Sequence, residues 1–384
     1  MRVAHVCLRY PPAIGGVERY VKGLVDTLRA DGRSEIVVET TDHGVVARAR
    51  GASARASEEG VEVTRHRCWT GRESGRYPIA PGLAPALARL DADLVHAHGQ
   101  FQFSTDLAQV VARAKRQALV VSPYFHPPRT QLGLGHLRTL GRLIEHAPVV
   151  TTVSNFELSS LQRAGLRPKR VVVVPPVLRP VAPPDPSIWD RIGVDPRQRP
   201  VVLTISRAAT HKQLPLLLAA MDDVRRAIPE TCLVIAGSAG RADFDEDGRS
   251  VGAGVVSEAE LSALYLGASV VVLVSSYETF GLVLLEALQL GTPALGPASG
   301  GPGELLAGCD SLTFPPNDAS GLASRLVSLL SDPALVEDCL SWAAATVLPR
   351  FSRLSQRCAL DEAYALALDS ARRTMTPSRS RLAD

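Results

Sequence analysis

The 384-residue chain is long enough for about two domains, and 46% apolar with 21% charged residues suits packed cores rather than disorder. A formal net charge of +3 gives no polyelectrolyte signal, which excludes a dedicated nucleic-acid binder. No apolar run reaches the roughly 18 residues of a membrane span, and the six scattered cysteines exclude a disulfide scaffold or zinc ribbon. Met1-Arg2-Val3-Ala4-His5-Val6 carries no apolar segment of secretory-signal length, so a reducing cytoplasm is the expected setting.

Short β-branched runs alternate with longer amphipathic stretches along the first half. Strands are predicted at Val3–Leu8, Ile36–Thr40, Val61–Thr64, Leu94–His98, Ala118–Ser122, Val149–Val153 and Val171–Val174. Between them the spacing predicts helices at Val17–Ala30, Thr105–Arg116, Leu132–His146 and Phe156–Ala164. Near-continuous apolar strands separated by helices indicate a parallel sheet covered on both faces. The alternation stops where residues 175–200 hold eight prolines, which reads as a stiff linker.

The pattern then restarts with Val201–Ile205, a helix through Met221, Cys232–Ala236, a helix near Glu258–Leu266, Val270–Val274 and a helix over Phe280–Leu290. Helices near Ala319–Leu330, Pro333–Thr346 and Ser355–Arg372 complete it. The chain thus divides into a first α/β domain over 1–178, a linker over 179–200, a second α/β domain over 201–350, a helix over 351–372 and an Arg/Ser tail over 373–384 that reads as disordered. Two doubly wound units bind ligands at the carboxyl ends of their strands; should those ends face each other, the cleft becomes the site.

The strongest chemical signal is Ser275-Ser276-Tyr277-Glu278-Thr279-Phe280-Gly281-Leu282, running on to Glu286. Glu278 falls in a strand-to-helix turn, and the N–H groups of Phe280, Gly281 and Leu282 are first-turn donors suited to an anion or hydroxyl oxygens. Glu286 lies about one and a half turns on, and a carboxylate accepts two vicinal hydroxyls through separate oxygens. Arg207 and Lys212 follow the first strand of the second unit; two fixed cations there can stabilise a departing diphosphate without a metal. Near the N-terminus, Pro11-Pro12-Ala13-Ile14-Gly15-Gly16 links strand to helix without the G-x-G-x-x-G fingerprint of a dinucleotide-dependent dehydrogenase. His96, His98 and His126 lie at strand ends; His96 reads as a packed core residue, and no carboxylate or cysteine shares metal-ligand spacing with them.

Glu278 and Glu286, with Phe-Gly-Leu between them, resemble the signature of the retaining family 4 glycosyltransferases of the GT-B fold. Arg207 and Lys212 resemble that family's diphosphate clamp, with Ser206 and Gln213 standing where the family has glycine. Gly15-Gly16, Thr152-Val153-Ser154, Ile235-Ala236-Gly237, Gly291-Thr292-Pro293 and Ser299–Glu304 match further segments in the expected order. The resemblance implies two facing Rossmann-like domains, with a C-terminal helix crossing back to the first. It implies transfer, with retention, of a hexose-type sugar from a UDP- or GDP-linked donor to an acceptor hydroxyl. No cofactor or metal is obligatory on this resemblance. Glu278, with Phe280, Gly281 and Leu282, would hold the sugar and Glu286 the ribose. Arg207 and Lys212 would stabilise the diphosphate, which Gly15 and Gly16 also approach, while Gly237 would lie near the base. His98 and His126 would line the acceptor side, and His126 would help the acceptor proton.

Two rivals share the pattern. A nucleotide-sugar epimerase of the same architecture needs no acceptor, and a non-catalytic nucleotide-sugar-binding subunit typically lacks a clamp charge or signature carboxylate. Arg207, Lys212, Glu278 and Glu286 are all present here. The acceptor (small molecule, lipid-linked sugar or polysaccharide) has no readable code. Val110–Arg116 is too short a basic run to support peripheral membrane contact.

Overall fold

The computed structural model describes residues 1–43, 54–69, 77–127, 131–206, 210–237 and 249–375. The chain divides into two compact units. Unit 1 comprises Met1–Val177 with Arg353–Asp384, and unit 2 comprises Leu178–Ser352.

Unit 1 opens with β1 (Arg2–Cys7), α1 (Gly16–Arg29), β2 (Glu35–Thr41), β3 (Ala54–Glu58) and β4 (Val61–His66). Next come α2 (Leu83–Arg89), β5 (Leu94–His98), α3 (Phe103–Ala114), β6 (Ala118–Ser122), α4 (Gln131–Glu145), β7 (Val149–Thr152), α5 (Asn155–Arg163) and β8 (Val171–Val173). The sheet order is β3-β4-β2-β1-β5-β6-β7-β8, parallel except for the antiparallel β3–β4 pair. β1, β5 and β6 are buried on both faces because helices cover both sides of the sheet. Val21, Leu24, Val25 and Leu28 give α1 a buried stripe at helical spacing. Each fully buried valine or leucine contributes roughly 1.5–3 kcal/mol relative to exposure.

Unit 2 begins inside the proline-rich stretch. Where the prolines predict a linker, the chain forms α6 (Ser187–Ile192), whose Ile188 and Trp189 are buried and which a left-handed Gly193 terminates. Pro186 stands at its start, where a missing N–H costs nothing. There follow β9 (Val201–Ile205), α7 (Leu214–Ala227), β10 (Cys232–Ala236), β11 (Ser250–Gly254), α8 (Glu258–Gly267), β12 (Val270–Val272) and α9 (Leu282–Gln289). β13 (Ala294–Pro297), α10 (Gly300–Leu305), β14 (Thr313–Phe314), α11 (Ala319–Ser331) and α12 (Pro333–Trp342) complete the unit. Its all-parallel sheet has the order β11-β10-β9-β12-β13-β14, a doubly wound arrangement whose strand order reverses between β9 and β12. Ser257 caps α8 through a reciprocal capping box with Glu260.

The last helix, α13 (Arg353–Met375), belongs to unit 1. The Thr27 hydroxyl donates to Gln356 Oε1 at 2.6 Å, and Gln356 Nε2 donates to the Pro175 carbonyl at 2.9 Å. Among the described residues no helix is long and apolar enough to cross a membrane. Residues 376–384 of the predicted tail lie outside the described residues.

Candidate active site

Ligands of open α/β sheets bind beyond the carboxyl ends of the strands where strand order reverses. In unit 2 that point lies between β9 and β12, and the loops leaving those two strands carry the predicted clamp and signature residues. The loops are stitched together: Ser276 N–H donates to the His211 carbonyl at 2.9 Å, and the Ser275 hydroxyl donates to it at 3.2 Å. Across this seam Lys212 Nζ donates to Glu278 Oε2 at 2.7 Å, with the two side chains 15% and 21% exposed. A cation and a carboxylate are thus held beyond the carboxyl ends of two central strands, partly screened from water. Arg207, predicted beside Lys212, lies outside the described residues.

Gln213, standing where the resembled family has glycine, adopts φ +44°. An L-residue in this left-handed region loses roughly 1–2 kcal/mol, and here its amide donates to Asn317 Oδ1 at 2.6 Å. Glycine at the end of β10 is required by sterics: at Gly237 (φ +95°) an added Cβ would come 2.4 Å from the Ser206 carbonyl oxygen. Gly281, also at φ +95°, turns the chain into α9 as its N-cap; its carbonyl accepts from Leu284 N–H at 3.0 Å, and the N–H groups of Leu282 and Val283 come before the helix ladder begins. Phe280 is buried edge-on against Phe351, with ring centroids 5.2 Å apart, so its ring is a packing element. The Gly301 N–H donates to the Glu278 carbonyl at 2.9 Å, fixing the signature loop against the start of α10.

Glu286 lies one turn into α9, following Leu282, and is 18% exposed. The Tyr265 hydroxyl donates to its Oε2 at 2.7 Å, and the Arg179 guanidinium stands 3.7 Å from Oε1. Neither partner was expected from the sequence. Both contacts are long-range, and the only local signal was an aromatic residue on the buried side of α8.

In unit 1 the strand order reverses between β1 and β5. Gly15 is the N-cap of α1, and Gly16 is its first residue. Behind this turn Glu18 is buried and pairs with Arg9 Nε at 2.5 Å. His126 is exposed beyond β6, and its carbonyl accepts from Gln100 Nε2 at 2.8 Å. The strand end bearing it is anchored by fully buried Glu157. Its Oε1 accepts from Phe125 N–H at 2.7 Å and its Oε2 from Val153 N–H at 2.8 Å. Burial pushes the Glu157 carboxyl up to about 7 while those backbone donors pull it down. Ser154 caps α5 by accepting from Glu157 N–H at 3.1 Å.

His98, predicted to face an acceptor, is 1% exposed, and its ring is turned into the unit. Its Nε2 shares a 2.8 Å hydrogen bond with His5 Nδ1, and its Nδ1 shares one of 2.8 Å with the Tyr124 hydroxyl. The parallel register sets His5 beside His96 and Cys7 beside His98. His96 is fully buried between the Tyr364 hydroxyl at 3.0 Å and Ser122 Oγ at 2.8 Å. Desolvation drives His5 down to about 3 and holds His96 and His98 well below the usual imidazole range. The three rings bring one nitrogen each within 4.8 Å of one another, a cluster that residue spacing along the chain did not reveal. His98 bonds to His5 and the Tyr124 hydroxyl, and His96 to the Tyr364 and Ser122 hydroxyls, so both ring nitrogens of His96 and of His98 are taken up in hydrogen bonds.

Two doubly wound parallel-sheet units, the second with a charged pair at its switch point, define the GT-B class of Rossmann-like proteins. Residues 14–179 match the family model "Glycosyltransferase Family 4", and residues 188–345 match "Glycosyl transferases group 1". The chain belongs to the family 4 glycosyltransferases. It is 28% identical to a glycogen synthase of Mycobacterium tuberculosis, over 88% of each chain. It is 26% identical to a GDP-mannose-dependent alpha-(1-6)-phosphatidylinositol monomannoside mannosyltransferase of Mycolicibacterium smegmatis, over 84% of this chain and 88% of that one. Among solved structures, sucrose-phosphate synthase from Thermosynechococcus elongatus superposes with a TM-score of 0.76 at 20% identity, covering 96% and 99% of the two chains. Anabaena HepE in complex with UDP and glucose gives 0.72 at 18% identity, covering 94% and 99%. At these identities the structural likeness establishes the fold.

Proposed function

We propose that the enzyme transfers a hexose-type sugar from a nucleoside diphosphate donor to an acceptor hydroxyl, with retention at the anomeric carbon. The observation that carries the proposal is the Lys212–Glu278 pair at the β9/β12 switch point. Glu278 and the first-turn amides of α9 receive the sugar hydroxyls, and Glu286 takes the ribose. Lys212, joined by Arg207 on the family resemblance, neutralises charge as the sugar–phosphate bond breaks; such stabilisation of developing charge is commonly the largest catalytic contribution. Attack on the face the diphosphate leaves uses no carboxylate nucleophile, because both glutamates are committed to binding.

In unit 1 the acceptor role falls to His126, whose exposure supports it. His98, which the family resemblance puts on the acceptor side, is buried and hydrogen-bonded to the Tyr124 hydroxyl. Gly15 and Gly16 offer backbone N–H groups suited to phosphate oxygens.

The relatives' names divide on donor and acceptor. They include a glycogen synthase and a GDP-mannose:cellobiosyl-diphosphopolyprenol alpha-mannosyltransferase, and HepE has been solved with UDP-glucose. A panel of UDP- and GDP-sugars, followed by mass-spectrometric acceptor screening, tests the proposal. Acceptor-dependent release of nucleoside diphosphate with an α-linked product from an α-linked donor supports it. Epimerisation of the donor without any acceptor, or donor binding without turnover, overturns it.

A further inference from the structure

We propose that Tyr265 is a positioning residue of the nucleotide site: its hydroxyl holds the Glu286 carboxylate in the orientation that receives the ribose hydroxyls of a nucleoside diphosphate. The proposal rests on the assignment of Glu286 to ribose above, and it extends that assignment to how the carboxylate is prepared.

Tyr265 is clamped at both ends. Its ring is buried in α8, and its carbonyl accepts from the Thr292 hydroxyl at 2.7 Å. That bond ties the C-terminal end of α8 to the Gly291-Thr292-Pro293 turn directly after α9. The phenol is thereby aimed from a fixed base at Glu286 Oε2, 2.7 Å away. A charge-assisted O–H···O⁻ bond of this length is among the stronger hydrogen bonds in proteins, about twice a neutral one.

Arg179 acts on the other oxygen. Its guanidinium stands 3.7 Å from Glu286 Oε1 and 3.2 Å from Glu258, while its carbonyl accepts from Gln289 Nε2 at 2.6 Å. The hydroxyl of Tyr265 and the cation of Arg179 therefore fix the carboxylate plane from two sides. An unrestrained glutamate must give up rotamer freedom when a ligand binds, and a group ordered beforehand does not, which is the general gain of preorganisation. A carboxylate offers about four acceptor positions, so a single phenol donor is compatible with a vicinal diol on the same group.

Isothermal titration of the full chain with UDP and GDP, each alongside its 2′,3′-dideoxy counterpart, tests this. Tyr265→Phe keeps the ring and removes only the hydroxyl; Glu286→Ala and the double variant complete the cycle. For whichever nucleotide binds the parent, Tyr265→Phe is expected to weaken the ribose form about tenfold and the dideoxy form less than twofold. The double variant is expected to bind no worse than Glu286→Ala. Equal weakening of ribose and dideoxy forms, or less than twofold weakening of the ribose form, overturns the positioning role and leaves the ribose assignment standing. Unchanged ribose binding in Glu286→Ala overturns the ribose assignment itself, and the positioning role with it.

Discussion

Lys212 Nζ and Glu278 Oε2 lie 2.7 Å apart although the two residues leave different strands of the unit 2 sheet, β9 and β12. The contact spans the point where strand order reverses, so the sheet topology brings the charges together. In the proposed mechanism the pair does two things. Lys212 orients the carboxylate that binds sugar, and it supplies positive charge for the leaving diphosphate.

Lys212→Ala should therefore lower kcat by about 10²-fold or more, the effect of deleting one preorganised transition-state stabiliser. Steady-state release of nucleoside diphosphate reads this. A loss confined to KM would assign Lys212 to ground-state binding.

Glu157→Ala should destabilise unit 1 by about 3 kcal/mol, because it strands the buried Phe125 and Val153 N–H donors. Urea unfolding with an unchanged m-value checks it. A cost below 1 kcal/mol would mean that water reaches those donors.

The histidine trio sets an acid limit. His5, His96 and His98 have folded-state pKa values below the ordinary 6.5, so the unfolded chain binds more protons below that pH. Their contribution is present above 6.5 and is lost as pH falls from there towards about 3 for His5. Each imidazole contributes a slope of about 1.4 kcal/mol per pH unit in this window. Asp106, raised to about 6, and Glu157, raised to about 7, slope the other way. A difference between proteins isolates one ring. The stability of His5→Asn should fall less steeply than that of the parent between pH 6 and 4, by about 1.4 kcal/mol per unit. Parallel curves would contradict the burial assigned to His5.

Gly237→Ala should cost about 3 kcal/mol or more, since the new Cβ meets the Ser206 carbonyl at 2.4 Å in a left-handed backbone. Thermal unfolding of the variant provides the measurement. A shift within 2 °C of the parent would show that the turn relaxes.

Much of this fold was legible in the chain because its strands are buried on both faces and read as short, mostly apolar, β-branched runs. Leu94–His98, Ala118–Ser122, Val201–Ile205 and Cys232–Ala236 match the observed strands residue for residue. The missed elements lack that signal. β11 is Ser-Val-Gly-Ala-Gly, β13 ends in proline, and α6 hides among prolines whose positions are compatible with a helix start. In the candidate site, the positions of Lys212, Glu278, Gly281 and Glu286 along the strand–loop–helix segments were legible, because element order dictates where each stands; their roles are part of the proposal. Tyr265, Arg179, Glu157 and the His5 ring were not, because each acts through a contact between residues distant in sequence. The burial of His98 belongs with them, since its ring bonds His5 and Tyr124, both distant from it in sequence.

Transfer by Glu278→Gln, with turnover of the best nucleotide-sugar donor measured beside the parent protein, tests the sugar-binding role of Glu278. The amide keeps the size of the side chain but removes the charge that pairs with Lys212 and accepts the sugar hydroxyls. kcat is expected to fall about 10²-fold or more, with binding of the sugar-free nucleoside diphosphate changed less than threefold. Near-parental turnover in Glu278→Gln would contradict that role.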